Sequence, residues 1–215
     1  MFTWALQLLA REGLLSGGTI GVDATTLEAN AAMRSLVRCD SGEDYEEYLR
    51  RLALESGIET PTREQLAKID KKRKKKASNK DWEHPHDPDA KVTKMKDGRT
   101  HLAHKAEHAV DLETGAVVAV TLQAADEGDT TTIEETLVEA AEQLEAAAEE
   151  AAGAVDELSE VVADKGYHSN RVLTDFAELD VRSYVSEPQR GRRKWGGRTR
   201  QRDAVYDNRR RIQGE

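Results

Sequence analysis

Cysteine is almost absent from this chain, since Cys39 is the only one in 215 residues. A single thiol excludes an intramolecular disulfide framework and a zinc site made of several cysteines. Such a composition suits a reducing compartment, so we expect a cytoplasmic protein.

Long hydrophobic runs are also lacking. The opening MFTWALQLLAREGLLSGG has one short apolar stretch without a basic leader, and Arg11 and Glu12 interrupt it. We interpret residues 1–17 as a partly buried amphipathic helix and expect no membrane-spanning segment. The chain also has no Walker phosphate loop, dinucleotide fingerprint or serine-hydrolase elbow, which removes the usual sequence support for three common enzyme classes.

Positive charge is missing from one long segment and concentrated in another. Residues 111–160 contain fifteen Asp and Glu but no Lys or Arg. Residues 182–215 contain eleven Lys and Arg against four Asp and Glu. We therefore expect a polyanion to bind the second segment, although the formal net charge of the whole chain is -9.

Apolar strands and helical patterns alternate in the first half of the chain. GTIGVDA, residues 18–24, is typical of a short buried strand. Residues 26–56 show helical spacing, and Thr60-Pro61 with Glu64 predicts the start of a further helix. Six consecutive basic residues, 71–76, and two prolines follow, so we interpret this tract as an exposed linker.

The second half predicts a hairpin, a long helix and further strands. THLAHKAEHAVDLETGAVVAVTLQ, residues 100–123, predicts a hairpin around DLETG. Apolar residues spaced by threes and fours from Ile133 to Leu158 predict a long helix with a glutamate-rich exposed face. The remaining predicted elements are a strand at VVAD (161–164), a helix over 168–179 and a strand at VRSYVS (181–186). This order predicts an α/β fold, a mixed sheet flanked by helices, with a helical and basic insertion at about residues 28–90.

Two aspartates end apolar strands in this pattern. Asp23 closes the first strand and Asp164 closes VVAD, and ligands of such sheets collect beyond the carboxyl ends of strands. Two neighbouring carboxylates repel unless a proton or a cation lies between them, and their hard oxygens favour Mg²⁺ or Mn²⁺. The alternative is that each aspartate only caps the following helix, which is a common role for this residue type.

The sequence segments around these aspartates resemble those of the DDE transposases of bacterial and archaeal insertion sequences. GVDATTLEANAAMRS is similar to the segment around the first catalytic aspartate of that family, and DKGYHS is similar to the element carrying the second. DAKVTKMKDGRTHLAHKAEHAVDLETGAVVAVTLQAADEGDTT resembles the central hairpin. YDNRRRIQGE resembles the start of the arginine-rich stretch before the catalytic glutamate.

The resemblance implies a fold, a chemistry and two site residues. It implies a ribonuclease H-like core over residues 18–188, divalent metal, and nicking and joining of DNA at terminal inverted repeats. It maps the catalytic, metal-binding roles onto Asp23 and Asp164, with a homo-oligomer as a further expectation. The third acid of the family lies in a Glu-Arg-x-Phe type element. Glu215 does not sit in such an element, so the third catalytic residue is unassigned. We accordingly expect a transposase fragment that is truncated at both ends.

Basic residues near this site are predicted to bind DNA phosphates. They lie in the turn after Asp164 and in a basic tail over residues 189–215. The set is Lys165, Arg192, Arg193, Lys194, Arg198, Arg200, Arg209 and Arg210.

Three alternatives stay open. The chain could be a catalytically inactive DNA-binding remnant that associates with full-length transposase, or a ribonuclease H-like nuclease with another target. The spacing of His101, His104 and His108 invites a zinc site, but on a strand His101 faces away from the other two. We expect His84 and His86 to be exposed loop residues.

Overall fold

The computed structural model describes residues 1–73, 78–95, 97–151, 155–189, 191 and 193–214. The chain divides into two units. Unit 1 consists of Met1–Thr25, Ala106–Gln123 and Glu127–Glu215, and unit 2 consists of Thr26–Lys105 and Ala124–Asp126.

Strands and helices alternate along the chain. The strands are β1 Thr19–Glu28, β2 Val37–Arg38, β3 Trp82–Glu83, β4 Lys91–Lys94, β5 Thr100–Asp111, β6 Val117–Ala124, β7 Glu160–Ala163 and β8 Arg182–Val185. The α-helices are α1 Phe2–Arg11, α2 Tyr45–Glu55, α3 Arg63–Lys72, α4 Asp129–Glu150, α5 Asn170–Glu178 and α6 Thr199–Gln213, and short 3₁₀ helices cover Met33–Ser35 and Lys165–Tyr167.

The main sheet has the strand order β4-β5-β1-β7-β8, and β6 also pairs with β5. β7 is parallel to both β1 and β8, whereas β4 is antiparallel to β5. The parallel strands β1 and β7 pair from Thr19↔Glu160 to Val22↔Ala163. This arrangement confirms the predicted mixed sheet with flanking helices.

The core of unit 1 lies around the parallel strands. Ile20, Val161 and Val185 are fully buried on one face of the sheet, since burial alternates along each of these strands. The buried side of α4 adds Ile133, Ala140, Leu144 and Ala147. The predicted apolar stripe is therefore present as far as the end of this helix at Glu150, while Val155 and Leu158 lie beyond it.

The hairpin prediction is confirmed by β5 and β6, and Asp111 organises the turn between them. Its carboxylate accepts hydrogen bonds from the Ser16 and Gly17 N–H groups, the Glu113 N–H and the Thr114 hydroxyl. This residue is fully buried. Burial alone raises the pKa of Asp111, but these hydrogen bonds outweigh burial and hold the pKa below its usual value.

Unit 2 differs from its prediction in two places. The helix predicted over 26–56 is wrong in its first part because β1 continues to Glu28, and only Tyr45–Glu55 are α-helical. The Ala29 N–H donates to the Leu102 carbonyl, which keeps the chain extended there. The next helix is capped by Thr62 rather than by Thr60, because the Thr62 hydroxyl accepts from the Gln65 N–H.

The tract predicted to be an exposed linker also contains a small core. Trp82 is 3% exposed and packs in a cluster with Leu36, Ala90 and Leu102. His84 is buried as well, so its prediction as an exposed residue is wrong, whereas His86 is exposed. The basic residues 74–76 lie outside the described residues.

The basic C-terminal segment forms helix α6, where only a tail was predicted. Ala204, Val205 and Asn208 form its buried side. The Asn208 amide donates to the Val185 carbonyl and accepts from the Val185 N–H, which joins α6 to the end of β8. Within the described parts of the chain, none of the helices combines the length and apolar character that a membrane crossing needs.

Candidate active site

Asp23 and Asp164 occupy matching positions on neighbouring parallel strands. Each follows the last residue pair of the β1–β7 ladder, Val22↔Ala163. Paired strands lie about 4.8 Å apart, so the structure brings the two aspartates together. Both residues are exposed, which leaves them accessible from solvent. Asp23 was predicted to end its strand, but β1 runs on to Glu28.

A tight turn sets the direction of the Asp164 side chain. Asp164 is the N-cap of the 3₁₀ helix Lys165–Tyr167, and its Oδ1 accepts the Gly166 N–H at 2.6 Å. Asp164 therefore has the capping role that was the alternative interpretation of this residue. A cap uses one acceptor position of a carboxylate that has about four, so capping and metal binding are compatible.

A third carboxylate reaches the same turn. Asp129 is the first residue of α4, and its Oδ2 would lie 2.5 Å from a Cβ atom placed on Gly166. The same Cβ would lie 2.9 Å from Asp164 Oδ1. Only glycine at position 166 therefore leaves room for both carboxylates where they stand.

A buried acid lies behind this turn. Glu107 is a fully buried residue of β5, and its carboxylate accepts hydrogen bonds from the Tyr167, Thr132 and Thr136 hydroxyls. Burial raises the pKa of the Tyr167 phenol above its ordinary value, and the charge of Glu107 adds to this effect. Asp129 and Asp23 raise the same pKa through their charges. Three carboxylates thus act on one phenol.

The donor set at this edge of the sheet fits a hard divalent cation. Exposed carboxylate oxygens are the ligands that Mg²⁺ and Mn²⁺ prefer. Among the residues that the structure describes, no group of three or more His, Cys, Asp or Glu has an arrangement that could hold a metal ion. Asp23 and Asp164 are accordingly a pair of candidate ligands.

Two of the three histidines considered for zinc have other contacts. His101 Nδ1 lies 2.6 Å from Glu28 Oε1, and His104 Nε2 lies 3.2 Å from Asp87 Oδ2. The arrangement of His, Asp and Glu in the described chain gives no support to a zinc centre.

The basic residues predicted to bind DNA fall into two groups. Lys165, Lys194 and Arg198 are exposed, and Arg198 donates to the Trp195 and Lys194 carbonyls. The others form ion pairs: Arg193 and Arg209 with Glu187, Arg200 with Glu178, and Arg210 with Asp207. Arg192 lies outside the described residues, as does Glu215.

Comparison with known sequences assigns the family. The sequence profile described as Transposase DDE domain matches residues 79–213, which is more than half of the chain. The chain belongs to the DDE transposase family. This confirms the predicted resemblance, and the sheet is consistent with the ribonuclease H-like fold of DDE transposases. A search of curated proteins found no match.

Family membership sets the general chemistry of the site. DDE transposases act in DNA transposition, bind DNA and generally use divalent metal ions. The matched range includes Asp164 and the basic residues of α6 but begins after Asp23. The position of Asp23 beside Asp164 therefore comes from the strand pairing alone.

Sequence reasoning missed two residues of this site. Asp129 lies in DEGDTTT, between the predicted hairpin and the predicted long helix, and an acid at the start of a helix after a hairpin was a usable signal. Glu107 was missed because it stands near Lys105 and His108 in a strand of mixed polar and apolar residues, where one more acid gives no distinct signal.

Proposed function

We propose that Asp23 and Asp164 are the metal-binding, catalytic acids of a transposase that cleaves and joins DNA. The observation that carries this proposal is their matching position at the end of the β1–β7 ladder in a DDE transposase. A divalent cation relieves the repulsion between two carboxylates on adjacent strands, and both residues are exposed, so a DNA phosphate can approach from solvent.

The preferred ions are Mg²⁺ and Mn²⁺, held by the carboxylate oxygens of Asp23 and Asp164. When bound, such ions activate an attacking oxygen and stabilise the leaving oxygen of a phosphodiester. The protein's own contribution is to fix the two carboxylates: the ladder fixes Asp23, and the capped turn fixes Asp164. The third catalytic acid stays unassigned.

The basic residues of the C-terminal segment supply the DNA contacts in this proposal. Lys194 and Arg198 of this segment are exposed, as is Lys165 in the turn after Asp164, so all three are accessible to DNA phosphates. Arg193 and Arg209 both form ion pairs with Glu187. DNA phosphates compete with this carboxylate for the two arginines, because arginine forms charge-assisted hydrogen bonds with carboxylates and phosphates alike. We further propose that the DNA is the terminal inverted repeat of an insertion sequence, and that homo-oligomers act on it in the cytoplasm.

Cleavage of labelled inverted-repeat DNA tests the proposal. The full chain is incubated with Mg²⁺, Mn²⁺ or a chelator, alongside Asp23→Asn and Asp164→Asn. We expect metal-dependent strand cleavage that both substitutions abolish while DNA binding persists. Cleavage at the wild-type rate by either variant would refute the catalytic assignment.

The same assay separates the alternatives. DNA binding without cleavage by the wild-type chain, with no metal dependence, would favour a DNA-binding protein that acts beside a separate transposase. Cleavage of RNA in hybrids without regard to repeat ends would favour a ribonuclease H-like nuclease.

A further inference from the structure

We infer that the buried Glu107 is a positioning residue that fixes the direction of the Asp164 carboxylate through Tyr167. This inference rests on the proposed role of Asp164 as a metal ligand. Glu107 is an acidic residue that is completely buried.

A buried carboxylate is costly to keep unless hydrogen bonds replace water. Glu107 Oε1 accepts from the Tyr167 hydroxyl at 3.0 Å and from the Thr132 hydroxyl at 2.9 Å, and Oε2 accepts from the Thr136 hydroxyl at 2.5 Å. The donors come from two different elements, the 3₁₀ turn after Asp164 and the first half of α4. Glu107 therefore joins that turn to the helix.

The α4 side of this network has a fixed direction. The Gln123 amide donates to the Thr121 hydroxyl, which lies 2.6 Å from the Thr136 hydroxyl. Because Thr136 donates its proton to Glu107, Thr121 donates to Thr136, and the chain of donors ends at the carboxylate. Consecutive hydrogen bonds of this kind polarise and strengthen one another.

The turn needs such an anchor because it is short. Lys165–Tyr167 form a single 3₁₀ turn, and Asp164, Lys165 and Gly166 are exposed. Tyr167 is the buried residue of the turn, at 1% exposure. Its pKa is raised by burial and by Glu107, so the phenol keeps its proton and remains a donor in neutral and mildly basic solution.

Two matched variants separate positioning from general stability. Tyr167→Phe removes the turn's hydroxyl from Glu107, and the control Thr174→Val removes a hydroxyl that donates to the Asn170 carbonyl within α5, with little change of shape. Mn²⁺ affinity of the full chain is measured by calorimetry, and hydrogen exchange is followed at the Gly166 amide, which donates to Asp164. Thermal unfolding monitors the stability of both variants.

We expect Tyr167→Phe to weaken Mn²⁺ binding about tenfold, as loss of a residue behind a metal ligand commonly does, and to speed exchange at Gly166. Glu107→Gln should do the same, and Thr174→Val should do neither. Unchanged affinity and exchange in Tyr167→Phe would overturn the inference, as would equal effects of Thr174→Val.

Failure of the proposed function gives a different result. If wild type and Asp164→Asn bind Mn²⁺ equally, Asp164 is not a ligand. Faster Gly166 exchange in Tyr167→Phe alone would then still support positioning by Glu107, and unchanged exchange would overturn it.

Discussion

Asp23 and Asp164, separated by most of the sequence, stand next to the same residue pair of a parallel ladder, Val22↔Ala163. The pairing of β1 with β7 places them there, and the order of the strands in the sheet makes this pairing possible. The metal binding proposed for the site depends on the adjacent positions of these two aspartates more than on any single sequence motif.

Glycine at position 166 should strengthen metal binding. In Gly166→Ala the new Cβ would press against Asp129 Oδ2 and Asp164 Oδ1, and these side-chain ends can turn away. We expect about tenfold weaker Mn²⁺ binding with little loss of folding stability. Gly191→Ala is the matched control, since nothing lies within 4 Å of a Cβ at that exposed position. Equal metal affinity in both variants would contradict this prediction.

Asp111 should stabilise the hairpin turn in a pH-dependent manner. Its pKa in the folded protein is lowered from the ordinary 3.8, so the ionised form contributes stability above that value. The contribution is lost as the pH falls through the folded-state pKa. We expect Asp111→Asn to lower the free energy of unfolding by about 1–3 kcal/mol near neutral pH, because four donors lose a charged acceptor.

Urea unfolding at about pH 7 and about pH 3 tests this sign. The difference between wild type and Asp111→Asn should shrink in acid. A difference that is constant across this range would show that the charge of Asp111 does not contribute.

Asn208 should hold the arginine-bearing helix α6 against β8. Asn208→Ala leaves the N–H and the carbonyl of the buried Val185 without their side-chain partner. We expect the free energy of unfolding to fall by about 2–4 kcal/mol, since an unsatisfied buried group costs about 1–3 kcal/mol. Gln201→Ala, at a half-buried position of the same helix, should cost far less in the same denaturation experiment.

Arginines at the start of α6 should bind DNA phosphates. Arg198→Ala combined with Arg200→Ala should weaken binding of DNA of any sequence and lower the slope of log affinity against log salt by about 1 per lost contact. Arg50→Ala, which removes another exposed arginine on α2, is the control. Fluorescence anisotropy across a salt series gives the slopes, and equal slopes in all three proteins would argue against this surface.

The parts of the fold that sequence predicted correctly are those with one dominant periodicity. The hairpin around Asp111 and the apolar stripe of α4 from Ile133 have clear periods of two and of three to four. Residues 26–44 gave a misleading helical spacing because Leu27 belongs to a strand and Leu36 to a separate cluster. Local spacing cannot distinguish these cases, since tertiary partners decide between them.

The burial of single residues that lie outside a periodic pattern was also not predicted from the sequence. Trp82 and His84 stand among charged residues and prolines, yet partners distant in sequence cover Trp82. At the site, strand ends predicted Asp23 and Asp164 as neighbours, but the role of Glu107 depends on its contacts with Thr132, Thr136 and Tyr167, which lie far along the chain. Such long-range contacts have no local sequence signal.

The shared metal site is tested most directly by binding Fe²⁺ in place of Mg²⁺, adding hydrogen peroxide so that the ion generates hydroxyl radicals, and mapping where the backbone is cut. An ion held by both carboxylates predicts cuts near residue 23 and near residue 164, and the loss of both sets in Asp23→Asn and equally in Asp164→Asn. Asp89→Asn, at an exposed position in unit 2, should leave the pattern unchanged. Cuts near only one aspartate, or cuts that survive either substitution, would contradict a site shared by the two residues.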